Sequence, residues 1–305
     1  MAYYCDQRLN PRERLAHLYH FLRCHYGSSI RDQLEIKKSQ WSRLLEAKPI
    51  EVAALDFYLS QLGINQLTLQ QKHFEPSLVV NYLEGQKNYL PDFYKIGAFS
   101  SKRIGVSLLN IVEKNYGKKT KQHLLQSLQI GEDFFNTKPS SQNKVSTLLY
   151  SHMYEFLRTQ IGISEKDLYW IGQKTTMTDL NPHWKERYHG LTHTQAYADY
   201  LEEISLYVEQ SYQYELYRLN KKEVIFRKRP NPLMQELLHS KIYGNHESCV
   251  YSLGFTSSVG YYANGLFPLA KKTRCLYQNE NFSEFVVDLT VFNQPSYFPA
   301  TSYPQ

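Results

Sequence analysis

The spacing of apolar residues changes once along this chain, and that change constrains the fold more than any other feature. In the first two thirds, apolar residues recur every three or four positions, as they do across 11–25, which is the spacing of one face of an α-helix. From residue 212 the pattern alternates, and the alternating runs 212–219 and 223–229 are joined by three polar residues, which is typical of a β-hairpin. The sequence therefore predicts an α+β protein in which an all-α helical bundle precedes a larger α+β domain.

Turn and capping residues place the boundaries of the N-terminal helices. Asn10 and Pro11 predict the start of a first helix that Gly27 ends, 38–45 predicts a third helix after a short second one, and Gly63 ends a fourth. A chain of 305 residues is long enough for two domains. We expect a helical domain at 1–70, an α+β domain at 71–295 and a tail at 296–305.

The middle and C-terminal segments give less definite patterns. The run 90–116 predicts a helix that breaks at Ser100 and Ser101, and 138–144 predicts a loop. The segment 248–255 is compatible with a strand or a helix, and 272–277 with 284–292 predicts a last pair of strands.

Composition excludes several classes of protein. The first residues lack the apolar run of a secretory signal, and no stretch reaches the length of a membrane span, so we expect a cytoplasmic protein that does not enter a membrane. The four cysteines have no repeating spacing, which favours reduced thiols over a disulfide framework. The net charge of +6 is compatible with an anionic partner, and the 26 tyrosines suit half-polar cavities.

The segment 29–45 resembles a helix-turn-helix of the repressor type, with one helix before it and one behind it. The turn position carries Glu35 where that family has a small residue. The resemblance implies that outward residues of the second helix read bases while basic neighbours contact phosphates. The base-reading set is Lys38, Ser39, Gln40 and Arg43, and the phosphate-contacting set is Arg31, Lys37 and Lys48.

The C-terminal third is similar to the vinyl-reductase-type ligand-sensing domains of bacterial regulators. The similarity is carried by CVYSLGF at 249–255, GYY from 260, TRC at 273–275 and FSEFVVD at 282–288. That family usually has a second cysteine near Ser283, so a thiolate metal site is not expected here.

Two further segments extend this resemblance. The segment 92–98 resembles the opening helix of such sensory domains, and 190–229 resembles the helix and hairpin of AraC-type ligand-binding regions. The resemblance implies a one-component regulator that binds a small, partly apolar molecule. The residues expected to line its pocket are Cys249, Tyr251, Phe255, Tyr261 and Tyr262.

Two groups of histidines are candidates for chemical sites. His17, His20 and Cys24 share one face of the first helix, but a single helix rarely supplies all the ligands of zinc. A second group, His183, His189 and His193, has no carboxylate or nucleophile at a diagnostic spacing. We therefore predict no catalytic residue, no metal and no cofactor.

Three functions remain open on the sequence. The preferred one is a dimeric, ligand-responsive DNA-binding regulator, because operators read by helix-turn-helix proteins are usually two-fold. The alternatives are a protein-binding scaffold and an enzyme that uses the histidines at 183, 189 and 193.

Overall fold

The computed structural model describes residues 9–71, 74–136, 144–176, 182–204, 208–237 and 244–293. These residues form an α+β protein, as the sequence predicts. The helices are α1 (Pro11–Tyr26), α2 (Ser29–Gln33), α3 (Lys38–Leu45), α4 (Val52–Gln61), α5 (Gln66–Gln70), α6 (Pro76–Leu83), α7 (Lys102–Tyr116), α8 (Lys118–Ser127), α9 (Thr147–Thr159), α10 (Glu165–Thr176), α11 (Pro182–Tyr188), α12 (His193–Glu203), α13 (Pro232–Leu237) and α14 (His246–Asn264). The strands are β1 (Ser100–Ser101), β2 (Lys144–Val145), β3 (Tyr212–Leu219), β4 (Glu223–Pro230), β5 (Phe267–Arg274) and β6 (Ser283–Asn293).

The chain divides into two compact units. The first contains the described residues of 1–93 and 122–137, and the second contains those of 94–121 and 138–305. The boundary expected at residue 70 stays a prediction, and the expected tail lies outside the described residues. Within the part of the chain that is described, no helix has the length and apolar character needed to cross a membrane.

The first unit is an all-α bundle built around α1. Asn10 caps α1 by accepting hydrogen bonds from the backbone of Arg12 and Glu13, and Gly27 ends the helix. The buried face of α1 packs with Trp41 and Leu44 of α3 and with residues of α4 to α6 in one apolar core. Along α4, Tyr58 and Leu59 are buried, whereas Val52 at the start of the helix is 67% exposed.

The second unit packs helices against an antiparallel sheet of order β3-β4-β6-β5. The β3–β4 hairpin confirms the one predicted from the alternation. The run 90–116 does break at Ser100 and Ser101, which form β1, but only 102–116 is α-helical. The segment 92–98, expected to open a sensory domain as a helix, contains only a 3₁₀ turn at 92–94.

Helix α14 lies at the centre of the second unit and is buried on nearly all sides. It crosses α10 at a point where both helices carry glycine. A Cβ added at Gly254 would lie 1.9 Å from the carbonyl oxygen of Tyr169, and one added at Gly172 would lie 2.3 Å from that of Tyr251. The two glycines therefore permit backbone contact that any other residue would prevent.

Candidate functional site

A cavity lies inside the second unit, between α14 and the face of the sheet that the helices cover. It is partly open to solvent. One face of α14 supplies a wall through residues at helical spacing. The rest comes from α7, α9, α12, strands β3, β4 and β6, and residues between α12 and β3. The lining residues are Ile104, Thr147, Tyr150, Tyr154, Tyr200, Ile204, Val208, Glu209, Tyr212, Tyr214, Phe226, Lys228, Ser248, Tyr251, Ser252, Phe255, Thr256 and Phe285.

Six tyrosines give the cavity an aromatic wall with several hydroxyl groups. The rings of Tyr154 and Tyr251 stack with their centroids 4.3 Å apart. The hydroxyl of Tyr150 donates to the carbonyl of Ser101 over 2.7 Å, and that of Tyr212 lies 2.7 Å from the hydroxyl of Tyr277. Burial raises the pKa of Tyr150, Tyr154 and Tyr251 above the usual value, so these hydroxyls stay protonated.

Lys228 places a cation at the wall of this cavity. Alternate residues of β4 are buried, and the lysine occupies an inward position with only 4% of its surface exposed. Its Nζ donates to Oγ of Ser252 over 3.2 Å and lies 3.7 Å from the centroid of the Tyr212 ring. Burial lowers the pKa of Lys228, while the charges of Cys249 and Glu209 oppose that shift.

Two further polar groups face the lining. The Glu209 carboxylate is buried, and its oxygens lie 2.7 and 2.8 Å from Oγ of Ser100. The backbone N–H of Ser211 donates to the same carboxylate over 3.0 Å. The Tyr251 hydroxyl is buried and makes no hydrogen bond of normal geometry with the described residues, although the hydroxyls of Tyr154 and Thr175 lie near it.

The residues predicted to bind a ligand divide into two groups. Tyr251 and Phe255 line the cavity. Tyr261 stacks on Phe267 at 4.8 Å, and Tyr262 donates to the backbone of Thr176, so neither belongs to the lining.

Cys249 is buried beside Ser283, with Sγ and Oγ 3.1 Å apart, and is not part of the lining either. Sequence reasoning missed Lys228 and the tyrosines at 150, 154, 200, 212 and 214. One signal was available, because Lys228 is in phase with Val224 and Phe226 along the alternating strand.

The residues predicted to contact DNA lie on and around α2 and α3. Lys37, Lys38 and Ser39 are exposed at the start of α3. Gln40 accepts a hydrogen bond from the Tyr58 hydroxyl over 2.5 Å, and Arg43 donates to the Pro49 carbonyl over 2.5 Å.

Two of the expected phosphate contacts have acidic partners within the bundle. Arg31 pairs with Asp32 and Lys48 pairs with Glu46, each at 2.5 Å. Among the described residues of the predicted set, Lys37, Lys38 and Ser39 are those whose side chains have no hydrogen-bond or ion-pair partner.

The second histidine group does not show a catalytic arrangement among the described contacts. His189 is exposed at the end of α11, and His193 begins α12 with its ring 5.2 Å from that of Phe292. The side chain of His183 lies outside the described residues. The buried cluster nearby is structural, since Trp184 and Tyr188 donate to the two oxygens of Glu203 over 3.0 and 2.7 Å.

The geometry defines a class of protein domain, an α+β unit that encloses a tyrosine-lined cavity with one buried cation. No family model matches the chain, and no curated protein matches it. Among solved structures, an H-NOX protein from S. oneidensis in the Fe(II)NO state is 12% identical, with a TM-score of 0.44 over 64% of this chain and 99% of that one. The Fe(II) unliganded H-NOX protein from K. algicida is 11% identical, with a TM-score of 0.42 over 65% of this chain and 100% of that one. Likeness at this level carries no argument about this protein.

Proposed function

We propose that the second unit binds a small aromatic molecule that carries an anionic oxygen group, and that the chain reports its presence. The observation that supports this is the buried ammonium of Lys228 at the wall of an aromatic cavity. Among the described residues, no carboxylate oxygen forms an ion pair with it within 4.0 Å.

The surroundings of Lys228 favour an anionic ligand. A buried cation is costly unless a counter-charge and hydrogen bonds compensate for the lost water. Ser252 accepts one hydrogen bond and the face of the Tyr212 ring attracts the charge, but a lysine has three donors. A ligand carboxylate at this position would complete the set, while the tyrosine rings would enclose its apolar body.

Haem is left out of this proposal. One of the similar structures concerns heme distortion in the H-NOX family. Among the described residues that line the cavity there is no histidine, cysteine or methionine, and tyrosine is the one type of axial ligand of haem iron that is present. Burial raises the pKa of Tyr150, Tyr154 and Tyr251, which opposes the tyrosinate form that would bind iron. The lining residues therefore fit haem poorly.

The first unit supplies the proposed output. We infer that α3 contacts DNA through its exposed N-terminal end, where Lys37, Lys38 and Ser39 face solvent while Trp41 and Leu44 are buried. This is the side-chain distribution that a recognition helix needs. In this proposal the protein acts as a dimeric, ligand-responsive regulator of the vinyl-reductase-like type.

Binding of two matched probes tests the ligand class. Benzoate and benzyl alcohol share a ring and differ in charge, and their binding is measured by ligand-observed nuclear magnetic resonance. We expect Lys228→Met to weaken benzoate binding by about tenfold or more, the scale of a lost charge-assisted hydrogen bond, with a much smaller effect on benzyl alcohol. Lys221→Met, an exposed position in the β3–β4 turn, is the matched control.

The outcome of this experiment is unambiguous because the variant is expected to fold. Methionine fills a similar volume, and removing a buried charge does not lower stability by itself. A melting temperature at or above that of the parent shows that lost binding is not unfolding. Equal benzoate affinity in the parent and in Lys228→Met, or no binding of either probe to the parent, would overturn the proposal.

A further inference from the structure

Two buried thiols lie together at the N-terminal end of α14, outside the cavity lining. Cys249 is 1% exposed and Cys275, just after β5, is 2% exposed. The two thiols influence each other's pKa, and each interacts electrostatically with Lys228. Ser283 holds the site together, because its Oγ lies 3.1 Å from the Cys249 sulfur and accepts the backbone N–H of Leu276 over 3.0 Å.

The surroundings of the Cys275 sulfur are positively charged. Nζ of Lys272 donates to it over 3.4 Å, and Nδ1 of His246 lies 3.9 Å away. Lys272 also lies 3.2 Å from Nδ1 of His246, whose Nε2 lies 3.0 Å from a carboxylate oxygen of Glu165. Nδ1 of His246 is therefore close to both the Lys272 amine and the Cys275 sulfur.

These contacts make the two thiols unequal. The hydrogen bond from Cys249, with those from His246 and the Tyr277 backbone and the charge of Lys272, lowers the pKa of the Cys275 thiol. The same hydrogen bond to Cys275, together with burial, raises the pKa of the Cys249 thiol. One thiolate beside one thiol is the arrangement of an attacking and a resolving cysteine.

The described residues around the two thiols do not form a metal-binding site. Among them, no group of three or more histidine, cysteine, aspartate or glutamate residues is placed to hold a metal ion. The group beside the Cys249 sulfur is the Ser283 hydroxyl and not a further thiolate. Thiol chemistry therefore accounts for the cluster better than coordination does.

We propose that Cys249 and Cys275 are a peroxide-sensitive thiol pair that closes reversibly to a disulfide. The Cys275 thiolate attacks one oxygen of a hydroperoxide, so that an S–O bond forms and the O–O bond breaks. Sulfur loses two electrons, the peroxide gains them, and the departing alkoxide or hydroxide takes a proton from the Lys272 ammonium. Cys249 then loses its proton to that amine and attacks the Cys275 sulfenic acid, so that the S–S bond forms and the S–O bond breaks. The departing hydroxide takes the proton back from Lys272 and leaves as water.

The test treats the full chain with hydrogen peroxide and follows each cysteine by alkylation under denaturing conditions and peptide mass spectrometry. We expect loss of two thiols and a cross-linked peptide pair that contains Cys249 and Cys275, about tenfold faster than modification of the exposed Cys24. In Cys249→Ser, a sulfenic acid should accumulate at Cys275, where dimedone traps it. Dithiothreitol should reverse the cross-link in the parent.

A second pair of variants tests the electrostatic part without altering either thiol. Lys272→Met should slow the peroxide reaction about tenfold, because the thiolate loses its nearest cation. Lys271→Met changes the exposed neighbour on β5 and should leave the rate unchanged. Oxidation of Cys24 before Cys275, dimedone labelling at Cys249 instead of Cys275, or equal rates in the two lysine variants would overturn the proposal.

Discussion

Lys228 shows how one side chain can set the chemistry of a cavity whose other walls are mostly aromatic. The strand around it buries Val224 and Phe226 on the same face, so the backbone fixes the lysine toward the interior. Burial lowers its pKa below the ordinary value of 10.5, which means that folding disfavours the charged form.

This lowered pKa predicts how binding depends on pH. Benzoate is fully ionised at neutral and higher pH, so a change in its affinity reports on the protein. We expect benzoate affinity to fall as pH rises through the lowered pKa of Lys228, at a pH below 10.5, because the ammonium is lost there. Affinity for benzyl alcohol should stay level over that range, and Lys228→Met should lack the pH dependence. Benzoate affinity that is flat up to pH 10.5 would contradict the assignment.

The stability of the unliganded protein should follow the opposite trend. A lysine whose folded pKa is lowered binds fewer protons in the folded state than in the unfolded one, so its contribution to stability increases as pH rises between the two pKa values. Below the folded pKa the full burial penalty remains.

Trp41 is the residue on which the packing of α3 depends. It is 9% exposed, and its ring meets that of Tyr19 edge to face at 5.1 Å. We expect Trp41→Ala to destabilise the first unit by about 3–5 kcal/mol, the range for loss of a buried aromatic side chain. Phe57→Ala is the control, because that ring is 54% exposed on α4 and its loss should have little effect on urea unfolding.

Helices and strands with a clear hydrophobic period could be predicted from the sequence, whereas helices buried on nearly all sides could not. The α1 cap, the helix at 38–45 and the β3–β4 hairpin follow from local residues, and the structure confirms them. Helix α14 was ambiguous because burial on nearly all sides removes the amphipathic period. Helix α10 was not predicted at all, since its defining contact is a glycine crossing with a helix about 80 residues later.

The candidate site was only partly predictable for a related reason. Tyr251 and Phe255 share one face of α14, and that local relation is visible in the sequence. The remaining walls come mainly from α7, α9, α12 and strands β3, β4 and β6, which only tertiary folding brings together. The alternation of buried and exposed residues along β4 predicts that Lys228 points into the protein. The local sequence does not indicate that a cavity lies on that side.

Where α10 crosses α14, we expect a Gly→Ala substitution to lower stability, the opposite of its usual effect in a helix. In an ordinary helix interior, Gly→Ala increases stability by about 1 kcal/mol. At Gly254 the new Cβ would meet the Tyr169 carbonyl at 1.9 Å, so the helices must separate. We expect Gly254→Ala to lower stability by at least about 1–3 kcal/mol, the cost of overpacking, measured by thermal and urea unfolding. A stabilised variant would show that the two backbones do not approach this closely.

At the scale of the whole molecule, the two units carry different kinds of surface chemistry. The first offers exposed Lys37 and Lys38 at a helix start, and the second offers an internal aromatic cavity with a cation. The proposed regulator requires both a ligand-binding cavity and a DNA-binding helix. Coupling between them would be reciprocal, so that a ligand that changes DNA affinity has its own affinity changed by DNA to the same factor.

This coupling can be tested with the intact chain and a DNA duplex of mixed sequence, about 30 base pairs long so that it spans two half-sites. DNA affinity is measured by fluorescence anisotropy at several salt concentrations. The slope of log affinity against log salt concentration should become shallower by about 1–2 in Lys37→Ala/Lys38→Ala, since each phosphate contact releases about one counterion. Lys271→Ala, which removes an exposed lysine from β5, should leave the slope unchanged. Benzoate should change DNA affinity in the parent and in Lys271→Ala but not in Lys228→Met. DNA binding that ignores the two α3 lysines would instead favour the scaffold alternative, in which α3 contacts a protein.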